Sequence, residues 1–366
     1  MISLKELREF EVPIEISRFL IFKDAVIISI SELKNERYHN TVASYDWSRP
    51  MQHNWIREGV SSDISSGELL IAGGQLFYIL DNSFFHSDPS TGKTIFQFKL
   101  KTGSWGPLLE YSNLIYFSTN NGSLYSYDPD KKTCSRIARF SSYFWQAVLA
   151  NETFYALVEE DRMLLWKRRN SKFSVYTFNP RINQKRLFMK LGKSGYWSSF
   201  FPIRNDICIS IGPRIERLNT KANVLWSFSI GPSTLSIEET TTFHGIFGNQ
   251  LLVSAESHLC LVDMNDGTKC WAMEASSHIA SAILLENGDV VFSTCGGGFA
   301  QLTAGVDPQN YIGLYSPSTG DSFKLYSLQD ASRIDLQRLN DRIIARSCCK
   351  RFFGDFYTCF IEFSIS

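Results

Sequence analysis

The sequence has no excess of either charge: 37 Lys and Arg balance 37 Asp and Glu over 366 residues. A protein that binds nucleic acid or an anionic membrane mainly through its field carries a basic excess, so that class is disfavoured. No apolar run reaches the ~18 residues a membrane-spanning helix needs; the stretch 19–30 is broken by Lys23 and Asp24. The opening residues carry Lys5, Glu6, Arg8, Glu9 and Glu11, where a secretory leader has a short basic start and then an apolar core. The expectation is a soluble, cytoplasmic protein. Eight cysteines without a CxxC pair are too few for a disulfide scaffold and are expected as reduced thiols. Histidines at 39, 53, 86, 244, 258 and 278 show no HxH or HxxxH spacing for a metal. There is no GxSxG elbow. In Glu256-Ser257-His258, neighbouring strand residues point to opposite faces and cannot act as nucleophile and base. The run Gly296–Gly298 lacks the helix and Lys of a phosphate loop. No catalytic constellation is found, and no cofactor, no metal and no enzymatic activity are expected. Amphipathic helical periodicity is also missing.

What the sequence does hold is aromatic and repetitive. Hydrophobic residues make up 44% and charged ones 20%, which excludes a disordered chain. Aromatics reach 14%, including 28 Phe, a bias toward strands. The clearest unit is 249–275, NQLLVSAESHLCLVDMNDGTKCWAMEA: an apolar strand, a second strand to Asp263, a five-residue turn to Gly267, and a third strand through Trp271. It recurs at 75–100 with turn Asp88-Pro-Ser-Thr-Gly92, at 114–140 with Asp128-Pro-Asp-Lys-Lys132, at 205–230 with Asn219-Thr-Lys-Ala-Asn223, and at 309–328 with Ser316-Pro-Ser-Thr-Gly320. Weaker copies carry Asp46 before Trp55, and Asn170 after Trp166. Asp, Asn or Ser at the first turn position hydrogen-bonds its own backbone two residues on, Pro presets φ, and Gly or Asn at the fifth suits a positive φ. The aromatic beyond the turn (Phe96, Trp226, Trp271) is placed to pack on a neighbouring unit.

These landmarks recur about every 45 residues, the period of a four-stranded propeller blade. The fold expected is all-β: one β-propeller domain over 1–366 built from four-stranded antiparallel blades. Eight blades are counted, near 17–59, 68–100, 106–140, 144–180, 195–230, 243–275, 279–328 and 331–366; seven is the alternative if one weak unit is an insertion. The last unit has only three strands, and segment 1–13 has no partner of its own. It is therefore expected to supply the missing strand and close the ring, which removes open sheet edges.

The string LVDMNDGTKCWAM, with its echoes HSDPSTGKTIFQF and LYSPSTGDSFKLY, resembles the repeat of the pyrroloquinoline-quinone-like β-propellers. The resemblance covers about five units, from 64 to 328. It implies a docking Trp after each turn. Thr-Gly stands in two turns and is reversed at Gly267-Thr268, which points to a diverged, non-catalytic branch. In quinone-dependent alcohol dehydrogenases of that family a vicinal disulfide contacts the quinone. Here Cys348 and Cys349 are read instead as two free thiols on one strand, because bridging strand neighbours demands a strained backbone.

The remaining signal is charge patterning. From Arg162 to Lys193 there are ten basic residues and no acid: Arg162, Lys167, Arg168, Arg169, Lys172, Arg181, Lys185, Arg186, Lys190 and Lys193. Residues 255–290 hold six acids and one Lys. The segment 296–310, with Gly297 and Phe299, is the longest insertion within a blade, and long loops on rigid scaffolds carry function. The function expected is a non-enzymatic scaffold that binds another protein with an acidic surface, through Arg162, Lys167, Arg168, Arg169, Lys172, Arg181, Lys185, Arg186, Gly297 and Phe299. Its narrower form is an inhibitor or immunity-type protein that neutralises a bacterial toxin. The alternatives are a quinone- or sugar-processing propeller enzyme and a nucleic-acid binder through 162–193.

Overall fold

A computed structural model of the chain describes residues 4–12, 18–34, 37–46, 49–61, 68–104, 106–140, 144–159, 172–182, 184–192, 198–231, 241–295, 310–328, 331–339, 342–350 and 356–365. The described elements are all β-strands, grouped in eight four-stranded antiparallel sheets. Seven sheets are simple meanders in chain order, spanning 18–61, 69–99, 109–139, 144–192, 198–229, 241–274 and 278–328. They are blades 1 to 7. Blade 8 contains three strands from 331–365 and, as its outermost strand, Leu4–Val12. That strand runs antiparallel to Phe356–Ile365, with Leu4 opposite Ile365 and Val12 opposite Thr358. The expected closure is therefore present.

Eight hydrophobic clusters occupy the junctions between successive blades, and this places the sheets in a ring. The cluster joining blade 8 to blade 1 contains Val26, Ile28, Ile30 and Ala43 with Ile344 and Phe360. Phe19 and Phe360 meet there edge to face, 5.5 Å between centroids. Every sheet thus has a neighbour on both faces, which explains why the second and third strands read as unbroken apolar runs. In Gln250–Ala255 five of six residues are buried, and in Ser83–Ser87 all five. The fourth strands, on the rim, alternate: Thr94–Lys99 buries its side chains only partly. First strands of neighbouring blades contact one another around the axis, as do those of blades 6, 7 and 8.

One landmark differs. Asn170 lies outside the described residues, and the turn between the third and fourth strands of blade 4 is Asn179-Pro-Arg-Ile-Asn183. Asn179 Oδ1 accepts from the amide N–H of Arg181 at 3.0 Å. Blade 4, expected over 144–180, extends to its fourth strand, Gln184–Gly192. At Asp88, Asp128, Asn219 and Asp263 the first turn residue bonds its own backbone as expected, whereas in the 219–223 turn the positive φ falls on Ala222 and not on the fifth residue, Asn223. Asp88 Oδ1 accepts from the Ser90 and Thr91 amides at 2.9 and 2.8 Å, and Asp263 Oδ1 from the Asn265 amide at 2.7 Å.

The aromatic after the turn docks on the next blade. Trp55 Nε1 donates to Pro89 O, and Trp226 Nε1 to Met264 O, each at 2.8 Å. Both indoles lie over the closing glycine of the turn they meet. A Cβ on Gly92 would stand 2.6 Å from the Trp55 ring, and one on Gly267 would stand 2.8 Å from the Trp226 ring. Glycine is thus required twice over at these positions, by φ values of +67° and +76° and by the indole above. Phe96 stacks on Tyr127 of blade 3 at 4.8 Å, and Trp271 meets Tyr315 of blade 7 at 5.2 Å.

Candidate functional site

The two faces of the ring are built differently. In a meander of four strands, the connections alternate between the two ends of the sheet. The links between blades hydrogen-bond to the connections between second and third strands: Leu100 N–H to Asn82 O, Phe140 N–H to Gly122 O, Ile230 N–H to Pro213 O, and Ile279 N–H to Glu256 O. These two sets therefore share a face. The turns between first and second and between third and fourth strands occupy the other, where Arg181 pairs with Glu152 at 2.8 Å and Arg204 Nη2 donates to Asn249 Oδ1 at 3.0 Å. Among the described turns of that second face, those at Asp88, Asp128, Asn179, Asn219, Asp263 and Asn287 are fixed by the Asp or Asn side chain.

On the first face, six of the second-to-third-strand connections are short, two to five residues. The other two run from Glu159 to Phe173 in blade 4 and from Cys295 to Asn310 in blade 7, with 13 and 14 residues between the strands. The two segments singled out in the sequence thus leave the same face of the ring, three blades apart. Arg162, Lys167, Arg168, Arg169, Gly297 and Phe299 belong to them and lie outside the described residues. Lys172 is exposed at the point where the blade 4 connection enters its third strand.

The rest of the basic stretch goes elsewhere. Arg181 is on the turn face, bound to Glu152. Lys185, on the rim strand, donates to Arg139 O of blade 3 at 3.0 Å and sits 5.0 Å from the Phe140 ring centroid, so its ammonium links two blades. Arg186 is exposed on the same strand. The stretch is contiguous in sequence but divided in space among both faces and the rim. The acids of 255–290 lie in blades 6 and 7, beyond blade 5, and several have structural duties. Glu256 binds His278 Nδ1 at 3.0 Å, and that bond holds its carboxyl below the usual range. Asp263 caps a turn, and Asp266 accepts from the Thr268 amide and hydroxyl, which lowers its pKa likewise.

The scaffold beneath this face is laterally tied. The Gln146 side chain of blade 4 donates to Phe200 O and accepts from Phe200 N–H, at 3.2 and 2.9 Å. Ser199 Oγ of blade 5 donates to Thr241 O at 3.0 Å, and Ser293 Oγ of blade 7 to Ile334 O at 2.6 Å. On the opposite, turn face Arg217 binds Asp206 at 2.6 Å and reaches Met264 O of blade 6. These polar ties join neighbouring blades. Serine and glutamine on a strand carry no pattern that announces such a role, so sequence reading passed over them.

No group of three or more His, Cys, Asp or Glu side chains able to hold a metal occurs among the described residues. Six described cysteines are free: 134, 208, 260, 270, 295 and 359. Burial pushes the Cys134 and Cys208 thiols up to about 12 and Cys260 to about 11, so they behave as small hydrophobes. The backbone of Cys348 and Cys349 runs through a regular ladder opposite Thr358 and Tyr357; their side chains lie outside the described set. No described helix is long and apolar enough to cross a membrane.

No protein-family profile and no curated protein matches this sequence. Solved structures match widely, with 791 chains, and a fold so broadly shared cannot by itself name a function. The computationally designed Ika8 protein superposes with a TM-score of 0.63 at 12% identity, over 95% of this chain and 96% of that one. BamB from Moraxella catarrhalis gives a TM-score of 0.49 at 10% identity, over 80% of this chain and 95% of that one. At these identities likeness concerns fold alone. The chain is an eight-bladed β-propeller.

Proposed function

We propose that this propeller is a non-enzymatic scaffold that binds one protein partner on the face carrying its two long connections. The observation that supports the reading is the asymmetry of the ring. Tight turns occupy one face among the described residues, whereas the two long connections, 160–172 and 296–309, depart from the other, where the frame is laterally tied. Long loops on a rigid support form binding surfaces at little cost in ordering the scaffold. Arg162, Lys167, Arg168, Arg169 and Lys172 concentrate positive charge in one of these segments and favour a partner with an acidic surface, whose encounter they accelerate. The repeat chemistry and the docked Trp55 and Trp226 suit the diverged branch of quinone-like propellers. The free thiols suit a reducing, cytoplasmic setting. Capping of a toxin would be one use of such a face.

The test compares two charge reversals against the partner isolated by affinity capture. Arg168→Glu with Arg169→Glu alters the long-connection face; Arg181→Glu with Arg186→Glu alters the turn face and rim. At ~50 mM salt, where the Debye length exceeds ~10 Å, the first pair is expected to slow association about tenfold and the second to leave it nearly unchanged. Equal rates for all three proteins would remove the reading. Turnover of an alcohol with quinone and Ca²⁺ would replace it with the enzymatic one.

A further inference from the structure

Two histidines join neighbouring blades through their uncharged form, and the seams they hold lie opposite each other in the ring. On the blade 2–3 seam His86 is buried, with Nε2 facing Gln75 Oε1 of its own blade at 3.3 Å and Nδ1 facing the Tyr127 hydroxyl of blade 3 at 2.8 Å. Gln75 Oε1 can only accept, so the ring proton is on Nε2 and Tyr127 donates to Nδ1. Phe77 stacks on the imidazole at 4.7 Å, and Phe84 and Phe96 meet Tyr127 at 5.0 and 4.8 Å. On the blade 6–7 seam, Ala282 N–H donates to His244 Nδ1 at 3.2 Å, while His244 Nε2 donates to Ser254 Oγ of blade 6 at 2.8 Å. A main-chain N–H cannot become an acceptor, so a proton on Nδ1 breaks this link between the blades.

Four blades separate the two seams in either direction, 3 to 6 on one side and 7, 8, 1 and 2 on the other. Ties on seams between them, such as Gln146 with Phe200 and Ser293 with Ile334, use amides and hydroxyls that do not titrate near neutral pH. The charged groups around each imidazole decide what acid does. Burial holds the His86 pKa below its ordinary value, and Lys132 of blade 3 adds to that. Cys134 and Asp128 act on Tyr127, its hydrogen-bond partner. Asp335 and Arg338 line a recess with His244; Asp335 is bound by Arg346, and Arg338 pairs with Glu286. At the long-connection end of the blade 6–7 seam, Glu256 stays ionised against His278, so acid does not release that pair.

We propose that acid loosens the ring at these two opposed seams, leaving two half-rings of four blades that can shift against each other. Both imidazoles are uncharged in the native ring and free to take a proton in the unfolded chain, where histidine titrates near ~6.5. Their contribution to stability is therefore complete above that pH and is lost as the pH falls through it. Blades 4 and 7, which carry the long connections, belong to different halves. Release of a partner that spans both is a consequence that rests on the function proposed above; the loosening itself does not.

The test needs no partner. Amide exchange is measured on the full chain at pH 7.5 and 5.5 for two amides that each tie a seam: Ala282, bonded to His244, and Phe200, whose N–H donates to Gln146 Oε1 at 2.9 Å. On acidification the protection factor of Ala282 is expected to fall about tenfold or more, and that of Phe200 to stay within about twofold. His86→Asn and His244→Asn each keep an acceptor near the Nδ1 position and cannot take up the proton. Each is expected to remove about half of the acid-induced rise in the unfolding constant, and the double variant nearly all of it. The pH dependence is read within each protein, so a uniform loss of stability in a variant does not matter; should a variant not fold, exchange in the native chain decides. No fall at Ala282, an equal fall at Ala282 and Phe200, or a double variant as acid-sensitive as the native chain overturns the proposal.

Discussion

The docking of Trp226 on Gly267 can be isolated with a matched pair of substitutions. Gly267 and Gly320 close equivalent turns with the same φ of +76°. A Cβ on Gly320 meets nothing within 4 Å, while one on Gly267 would lie 2.8 Å from the Trp226 ring. Gly320→Ala therefore reports the backbone cost alone, roughly 1–2 kcal/mol for a non-glycine residue in the left-handed region. That cost is partly offset by about 0.4–1 kcal/mol of lost chain entropy in the unfolded state. Gly267→Ala carries the same two contributions, which cancel in the comparison, and must also displace the indole. The ring is 7% exposed and gives a 2.8 Å hydrogen bond to Met264 O. Forced repacking and a weakened hydrogen bond together come to roughly 2–3 kcal/mol beyond the Gly320 variant. In a Trp226→Ala background, itself about 3–5 kcal/mol less stable, the excess should vanish and the two alanines should cost the same. Equilibrium urea unfolding, followed by fluorescence and circular dichroism with coincident transitions, measures all of these differences. Equal costs for the two single glycine variants, or an excess that survives removal of Trp226, would refute docking as the reason for glycine at 267.

Deleting residues 1–13 removes the outer strand of blade 8 and is expected to lower the melting temperature by several degrees; a truncated chain as stable as the whole would contradict closure by that strand. Thiol titration in denaturant without reductant should report eight reactive groups, and in the native protein Cys270, which is exposed, should react well before Cys208, Cys260 and Cys359. Burial raises Tyr127 from 10.0 to about 12, so its stabilising contribution is complete below pH 10 and is lost as the pH climbs toward 12. Tyr127→Phe should flatten the fall in melting temperature across that interval.

Turn chemistry made the fold legible, because Asp88, Asn219 and Asp263 act within their own five residues and leave their mark in local sequence. The missing strand of the last blade was legible for a different reason: a count of strands needs no long-range geometry. Blade 4 was started correctly at 144 but ended too early, because its landmark was set at Asn170, whereas the turn before its fourth strand follows Asn179-Pro180. The candidate site was less legible. Contiguous cations suggested one surface, yet the end of a long connection, a turn and a rim strand carry Lys172, Arg181 and Lys185 to different sides of the ring, and Lys185 joins blade 4 to blade 3. Which face a connection leaves depends on strand parity, and parity becomes known only once each strand is assigned.

Closure by Leu4–Val12 also sets an order of events during synthesis. This segment leaves the ribosome long before its partner Phe356–Ile365 exists. Blades 1 to 7 can each form as soon as their own four strands are made, but the closing strand must wait with an unpaired edge until Phe356–Ile365 has been made. Bringing together ends about 350 residues apart in an otherwise unstructured chain would cost on the order of 5 kcal/mol in loop entropy. The growing arc of blades removes most of that cost by holding the two ends near each other. The nascent protein is thus expected to pass through a crescent, native in its blades and open at one seam. The last contact made joins Leu4–Val12 to Phe356–Ile365, and any factor that protects the chain during growth has that seam as its natural target.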